Sequence, residues 1–346
     1  MTVSVAALLN HKLMTDLDKL ILILRLGTGI SQKAAERVTS LYADVFKNID
    51  VTESFALNKT RVNTLIADFN LEDELIEGML TVSKATISAH TQLTPIKPTK
   101  KIVKDAFKII MPDSNKSIND LIKRTKGVNT TSIHNLTLRA LDEGWTQKRL
   151  KDELTISSTA IKRNVEMIAR TSVNAVSNHT KTILYAKNDI VDRVLFSATL
   201  DGRTTDVCMN LDGKVFKKED SPVLPLHPNE RSHLLPILKG EDPEQVVKDL
   251  LPRPAVEIKS VEELEAKGFR TRTGKIRKPS RTDRSPLKGT QTTAPNYEAW
   301  LKEQPKAYQE VIIGKKGTEK FRDGVSLKDV INTSPITEEL LSKAIN

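Results

Sequence analysis

Apolar residues recur at helical spacing from the start of the chain: Val5, Leu8, Leu9, Leu13, Leu17, Leu20, Ile21 and Leu24 share one face of a helix over 3–26. Gly27 and Gly29 predict its end. Ser31 reads as the cap of a second helix over 31–47, where Ala34, Ala35, Val38, Leu41, Tyr42, Val45 and Phe46 keep the same period, antiparallel to the first. Shorter helices near 59–69 and 72–92 complete a bundle. Thr94-Pro95-Ile96-Lys97-Pro98 then reads as an extended connector, because a residue preceding proline is driven out of the helical region. The pattern therefore predicts an N-terminal helical domain over 1–94, a linker at 95–98 and a second domain over 99–346.

Beyond the linker, 99–110, 115–125, 130–143, 146–154 and 157–187 read as helices, the last long and polar without Gly or Pro. Strand character first appears at Asp192–Leu200, β-branched and alternating, and a short second strand follows at Lys214-Val215-Phe216. These two predict a small antiparallel hairpin packed on the long helix. Between and after them, Asp201–Leu235 is rich in turn formers, with Asp-Gly at 201 and at 212. Pro222, Pro225, Pro228 and Pro236 bar their positions from central strands and helix interiors. From Pro295 helical signals return in short pieces, ending with 337–345. The expected class is α+β, predominantly α-helical: an N-terminal bundle, then a helical region with a small antiparallel hairpin and a turn-rich His-Pro segment.

Composition narrows the classes. A hydrophobic content of 38% suffices for a core but is lean, and aromatics make up only 4%. Cys208 is the single cysteine, which excludes an intrachain disulfide framework. The N-terminal stretch is interrupted by His11, Lys12, Asp16, Asp18 and Lys19, too polar to span a bilayer or to serve as a signal peptide.

Charge is distributed unevenly. The net +10 divides into about −1 over 1–98, +8 over 99–200 and +3 over the remainder. The densest run, 268–290, carries eight Lys or Arg against one Asp: Arg270, Arg272, Lys275, Arg277, Lys278, Arg281, Arg284 and Lys288. Gly, Pro and Ser mark it as a loop or arm. Such an arm predicts sequence-independent contact with DNA phosphates, with docking on an acidic protein face and a solvated linker as the alternatives. Phe269 is its one aromatic, so it lacks a stacking platform for single strands.

Specific catalytic motifs do not occur: there is no nucleophile elbow, Walker loop, HExxH or dinucleotide fingerprint. Cys208, His227 and His233 are ligand types for zinc, but the cysteine stands alone and the histidines are six apart, which does not match a paired-ligand site. A calcium loop beginning at Cys208 fails at its first position, where a hard oxygen is required. Hydrolytic triples assembled from His227 or His233 with Glu230, Asp201 or Asp206 arise in any chain of this size. Arg170, Thr171 and Arg203 read as partners of nearby acidic groups rather than as catalysts. No catalytic residue, metal or cofactor is expected.

Four separated stretches, in matching order, resemble the Mu F-like family of phage minor head proteins, also called head morphogenesis proteins. They are Ile168-Ala169-Arg170-Thr171; the turn from Asp201 through Thr204 to Cys208 with Leu211-Asp212-Gly213; His227-Pro228-Asn229 with Arg231; and Tyr297–Pro305 with Trp300, followed by Ile312-Ile313-Gly314. Leu141-Asp142-Glu143-Gly144-Trp145 is also similar, so the resemblance covers roughly 130–330. The chain has Glu230 and Ser232 where the family commonly has cysteines, so a metal cluster does not carry over. The resemblance implies a packing role for Arg170, Thr171, Asp201, Cys208, Gly213, His227, Pro228, Trp300 and Gly314. It further implies a non-enzymatic virion component of the head interior or portal vertex, made in the host cytoplasm. Such a component would assist assembly and DNA packaging or ejection. Its implied partners are the portal protein, the major capsid or scaffold protein and packaged double-stranded DNA, with no membrane in the assembled head. The competing readings are a metal-dependent or toxin-like hydrolase centred on the His-Pro segment and a non-sequence-specific DNA-binding protein.

Overall fold

The computed structural model describes residues 16–67, 70–258, 287–331 and 333–345. The beginning of the helix expected at 3–26, and the basic stretch up to Pro286, lie outside them. Contacts divide the chain into two compact units, Met1–Leu184 with Val223–Glu230, and Tyr185–Pro222 with Arg231–Asn346.

The first unit is helical. Helix α1 (Asp16–Lys47) runs unbroken through Gly27, Gly29 and Ser31, so the expected break and antiparallel pair are replaced by one 32-residue helix. A glycine inside a helix costs only about 1 kcal/mol, which packing can outweigh. Here Gly27 is a point of close approach: a Cβ on it would lie 2.6 Å from Cγ1 of Val173. Ser31 caps nothing; its hydroxyl donates to the Gly27 carbonyl one turn back, at 2.8 Å. Gly27→Ala should therefore destabilise the unit by about 1–3 kcal/mol despite its better helix propensity, because Val173 is stiff and branched. A urea midpoint that rises on this substitution would contradict the close packing.

After α1 come α2 (Phe55–Ala67), α3 (Leu71–Ala89), α4 (Lys100–Phe107), α5 (Ile118–Asp142) and α6 (Gln147–Ala186). The breaks expected near 125–130 and 154–157 are absent, and each pair of predicted pieces is one helix. Gly127 sits mid-helix with open space beside it, and 154–157 holds no breaker. Helix starts are chemically marked. Asn70 accepts from the Glu72 amide, Thr99 from the Ile102 amide, and Ser117 forms a capping box with Asp120. Between α5 and α6, Gly144 adopts φ 62°, and the Trp145 amide reaches back to the Ala140 carbonyl at 2.8 Å.

The connector at 94–99, before α4, is neither helix nor strand. It does not separate two compact units. Ile23, Val38, Val45, Leu75 and Met79 before it and Val103, Phe107, Ile133, Ile161 and Ile168 after it belong to one buried cluster. Helix α3 packs on α4 across the connector and α2 packs on α5, so both sides close a common core. Where the polar part of α6 is buried, hydroxyls pair: Thr86 donates to Ser177 at 3.2 Å and Thr180 to Ser83 at 3.0 Å. Small side chains allow α3 and α6 to approach there without leaving polar atoms unsatisfied.

The second unit contains β1 (Val191–Ser197), α7 (Asp206–Leu211), β2 (Val215–Lys217), β3 (His233–Leu238), α8 (Pro243–Asp249), β4 (Arg253–Ile258), β5 (Leu287–Thr292), α9 (Tyr297–Lys302), α10 (Lys306–Arg322), α11 (Leu327–Val330), α12 (Pro335–Lys343) and β6 (Ala344–Ile345). Strands β1 and β2 form the expected antiparallel hairpin, with Val194 opposite Phe216. The sheet is larger than that hairpin, in the order β3-β1-β2-β6. Strand β3 went unforeseen because it contains Pro236, opposite Val194; as an edge strand it tolerates the missing N–H. Strands β4 and β5 form a separate antiparallel ribbon from Arg253↔Thr292 to Ile258↔Leu287. Within α10, Gly314 alone leaves helical geometry, at φ 76°. In this unit's core Trp300 meets Tyr297 edge-on at 4.9 Å and Tyr308 at 6.2 Å.

Candidate functional site

The separated stretches singled out by their chemistry collapse into two buried nodes, one in each unit. In the first unit, Arg170 and Thr171 on α6 hold the turn at 227–230. The Thr171 hydroxyl donates to the Met167 carbonyl at 2.8 Å and accepts the Asn229 amide at 2.9 Å. Arg170 donates from Nε and Nη2 to Oδ1 of Asn229, at 3.3 and 3.2 Å, and pairs with Glu166 one turn earlier at 3.3 Å. Asn229 stands at φ 61°, a conformation asparagine accepts more readily than most residues.

Glu230 closes this turn from within. Its carboxylate is fully buried, accepts the Leu226 amide at 2.9 Å and lies 3.5 Å from Nε2 of His227. The other ring nitrogen of His227 faces the Pro228 carbonyl at 2.9 Å. The Leu226 carbonyl accepts the Asp113 amide at 3.1 Å, which ties the turn to the segment before α5. His-Pro-Asn-Glu is thus a turn closed by its own side chains and anchored on α6.

The second node centres on Asp201. Arg231 grips its carboxylate in a two-pronged contact, Nη1 to Oδ2 at 2.6 Å and Nη2 to Oδ1 at 2.9 Å. Arg203 adds its own amide to Oδ1 at 2.9 Å and its guanidinium to Oδ2 at 3.2 Å. The Asp201 carbonyl accepts the Tyr297 hydroxyl at 2.8 Å, and the Tyr308 hydroxyl accepts the Gly202 amide at 3.2 Å. Burial pushes the Asp201 carboxyl up, but the hydrogen bonds and charge of Arg231, with Arg203 beside it, bring it down to about 2. The same burial pushes the Tyr297 and Tyr308 hydroxyls well above the usual phenol range, so both remain neutral donors or acceptors.

A second ionic pair lies in the same unit. Asp212 accepts the Ala198 amide at 2.7 Å and both terminal nitrogens of Arg253, at 3.0 and 3.1 Å. Burial of the Asp212 carboxyl raises it against the pull of Arg253. Next to it Gly213 holds φ 82°, and a Cβ there would stand 3.0 Å from Cβ of Asn296. The second Asp-Gly therefore works as a turn closed by an arginine.

The remaining predicted residues distribute as follows. Cys208 is buried on α7, His233 is buried on β3 in the second unit, Pro228 lies in the His-Pro turn, Trp300 is fully buried and Gly314 breaks α10. Arg270, Arg272, Lys275, Arg277, Lys278, Arg281 and Arg284 lie outside the described residues. Lys288 is on β5 opposite Glu257. Sequence reasoning did not assign roles to Glu166, Asn229, Tyr308 or Arg253. Arg253 gave no signal, since it lies between prolines and 41 positions from the carboxylate it pairs with.

The model of a family described as phage Mu protein F like protein matches residues 131–233, from within α5 to the start of β3. This segment is similar to phage Mu protein F like proteins. The matched Mu F-like span holds Arg170, Thr171, Asp201, Cys208, Gly213, His227, Pro228 and Arg231, while Tyr297, Trp300 and Gly314 lie beyond it. No curated protein and no solved structure matches the chain. Within the Mu F-like span, the ionic groups of both nodes are engaged with one another. The Asp201 carboxylate, for example, already accepts from Arg203, Thr204 and Arg231.

Proposed function

We propose that the chain is a minor head protein without enzymatic activity, a virion component of the head interior or portal vertex that assists assembly and DNA packaging or ejection. The Mu F-like match over 131–233 carries this reading. The two nodes support it, because their charged groups are spent on fixing turns rather than held ready for a substrate. No helix among the described residues is long and apolar enough to cross a membrane. Its partners are the portal and the major capsid or scaffold protein, with packaged double-stranded DNA met through the basic stretch 268–290.

Truncation at the connector would be a poor test, since helices on both sides of it share one core. Mass spectrometry of purified particles and DNA-free heads is direct. The chain should appear in both at a fixed low ratio to the major capsid protein. Recovery solely in the soluble fraction of the lysed host would overturn the reading.

A further inference from the structure

His134, half-buried on α5, meets the first turn of α2, and its surroundings suit a neutral ring alone. Its Nε2 is buried and has no hydrogen-bond partner. Phe55, the first residue of α2, closes on the ring edge-on at 83°, 6.2 Å between centres, and brings no oxygen acceptor. A neutral imidazole can leave Nε2 bare by carrying its proton on the other nitrogen. A protonated one must place an N–H there, which leaves a buried donor unmet.

The charges nearby oppose that second proton. The start of α2 presents the positive end of a helix dipole, and no Asp or Glu stands in its first turn. Lys59, one turn into α2, adds a positive charge that reaches the ring. The acids of the preceding loop are committed elsewhere: Glu53 accepts from both terminal nitrogens of Arg61, and Asp50 from the amide and hydroxyl of Thr52. On α5 itself the residues one turn away, Thr130, Thr131, Thr137 and Leu138, are uncharged. Burial and Lys59 together hold the ring below the ordinary histidine value of 6.5.

We infer that this contact is a pH-sensitive clasp, in which neutral His134 lets the first turns of α2 lie on α5 and protonation releases them. Little else holds those turns. Three of the 13 residues of α2 are buried, Asn58, Val62 and Ile66, and Asn58 is bonded to the preceding loop at Asp50 rather than to α5. Since the folded unit favours the neutral ring, this contribution is whole above pH 6.5 and is lost as pH falls below it through the lowered value. The clasp does not depend on the head-protein reading.

Hydrogen exchange of the full chain, read by mass spectrometry between about pH 7.5 and 5.5 and corrected for the intrinsic rate, tests it. Amides of 55–62 should lose protection severalfold at the lower pH while those of α3 keep theirs. His134→Gln, which cannot titrate, should remove the loss; Lys59→Glu, an exposed change that brings a carboxylate to the ring, should reverse it. An NMR titration of His134, assigned by its absence in His134→Gln, should give a value under 6.5 in the natural chain and a higher one in Lys59→Glu. Should His134→Gln loosen α2 at both pH values, the Lys59→Glu readings decide, since that variant keeps the ring. A His134 value of 6.5 or above in the natural chain, protection independent of pH, or a loss unchanged in either variant would overturn the proposal. So would a loss confined to α4, which would place the titration at His179, beside Asp105 and Lys101 of that helix.

Discussion

Arg231→Met is expected to destabilise the second unit by about 3–5 kcal/mol, the range for stripping one partner from a buried ion pair. The side chain of Asp201 is only 4% exposed, and Arg231 is its two-pronged partner; Arg203, 39% exposed, remains but is partly in water. The two tryptophans make the unit separable. Trp145 lies in the first and Trp300 in the second, so with Trp145→Phe the fluorescence of Trp300 reports the second unit during urea unfolding. Adding Asp201→Asn to Arg231→Met should recover part of the loss, because no charge is then left unpaired. A loss under about 1 kcal/mol in the single variant would mean that the contact contributes little and the turn is held by Tyr297 and Tyr308.

The same carboxylate sets a pH dependence. Its folded value of about 2 lies below the ordinary 3.8, so its contribution is present above pH 3.8 and is lost as pH falls toward 2. The loss is on the order of 2 kcal/mol. Asp212 works in the opposite sense, since burial raises its carboxyl; that contribution favours the folded unit at low pH and fades as pH rises. Urea midpoints between pH 5 and 2 should therefore fall in the natural chain and stay flatter in Asp201→Asn.

The fold was legible wherever a local rule decided the outcome. The β1–β2 hairpin followed from alternation and an Asp-Gly turn, and the α5–α6 junction from Gly144. Reading failed where a distant contact changed the meaning of a residue. Gly27 looks like a stop until Val173, far along the chain, is seen to need the space. Pro236 looks like a strand breaker until β3 is found at a sheet edge. The prolines at 95 and 98 mark a connector, yet nothing local reveals that the helices beyond it complete the core before it. At the nodes, the motif residues were visible in advance, but Arg253 and Tyr308 acquire their roles only through pairing across tens of residues.

Neutralising the basic stretch should change DNA binding by more than any single contact could. If Arg270, Arg272, Lys275, Arg277, Lys278, Arg281, Arg284 and Lys288 all become Gln, each lost phosphate contact should reduce the slope of log K against log salt by about 0.9. Engagement of all eight would lower it by about 7, and of half by about 3–4, so the variant should bind duplex DNA weakly and almost independently of salt. Titrations of a labelled 30-base-pair duplex between 50 and 200 mM salt read this directly, because 6–10 contacts cost the natural chain roughly 10³–10⁵ in affinity over that range. An unchanged slope after neutralising 268–290 would remove DNA from the functions of this stretch and leave an acidic protein face as its partner.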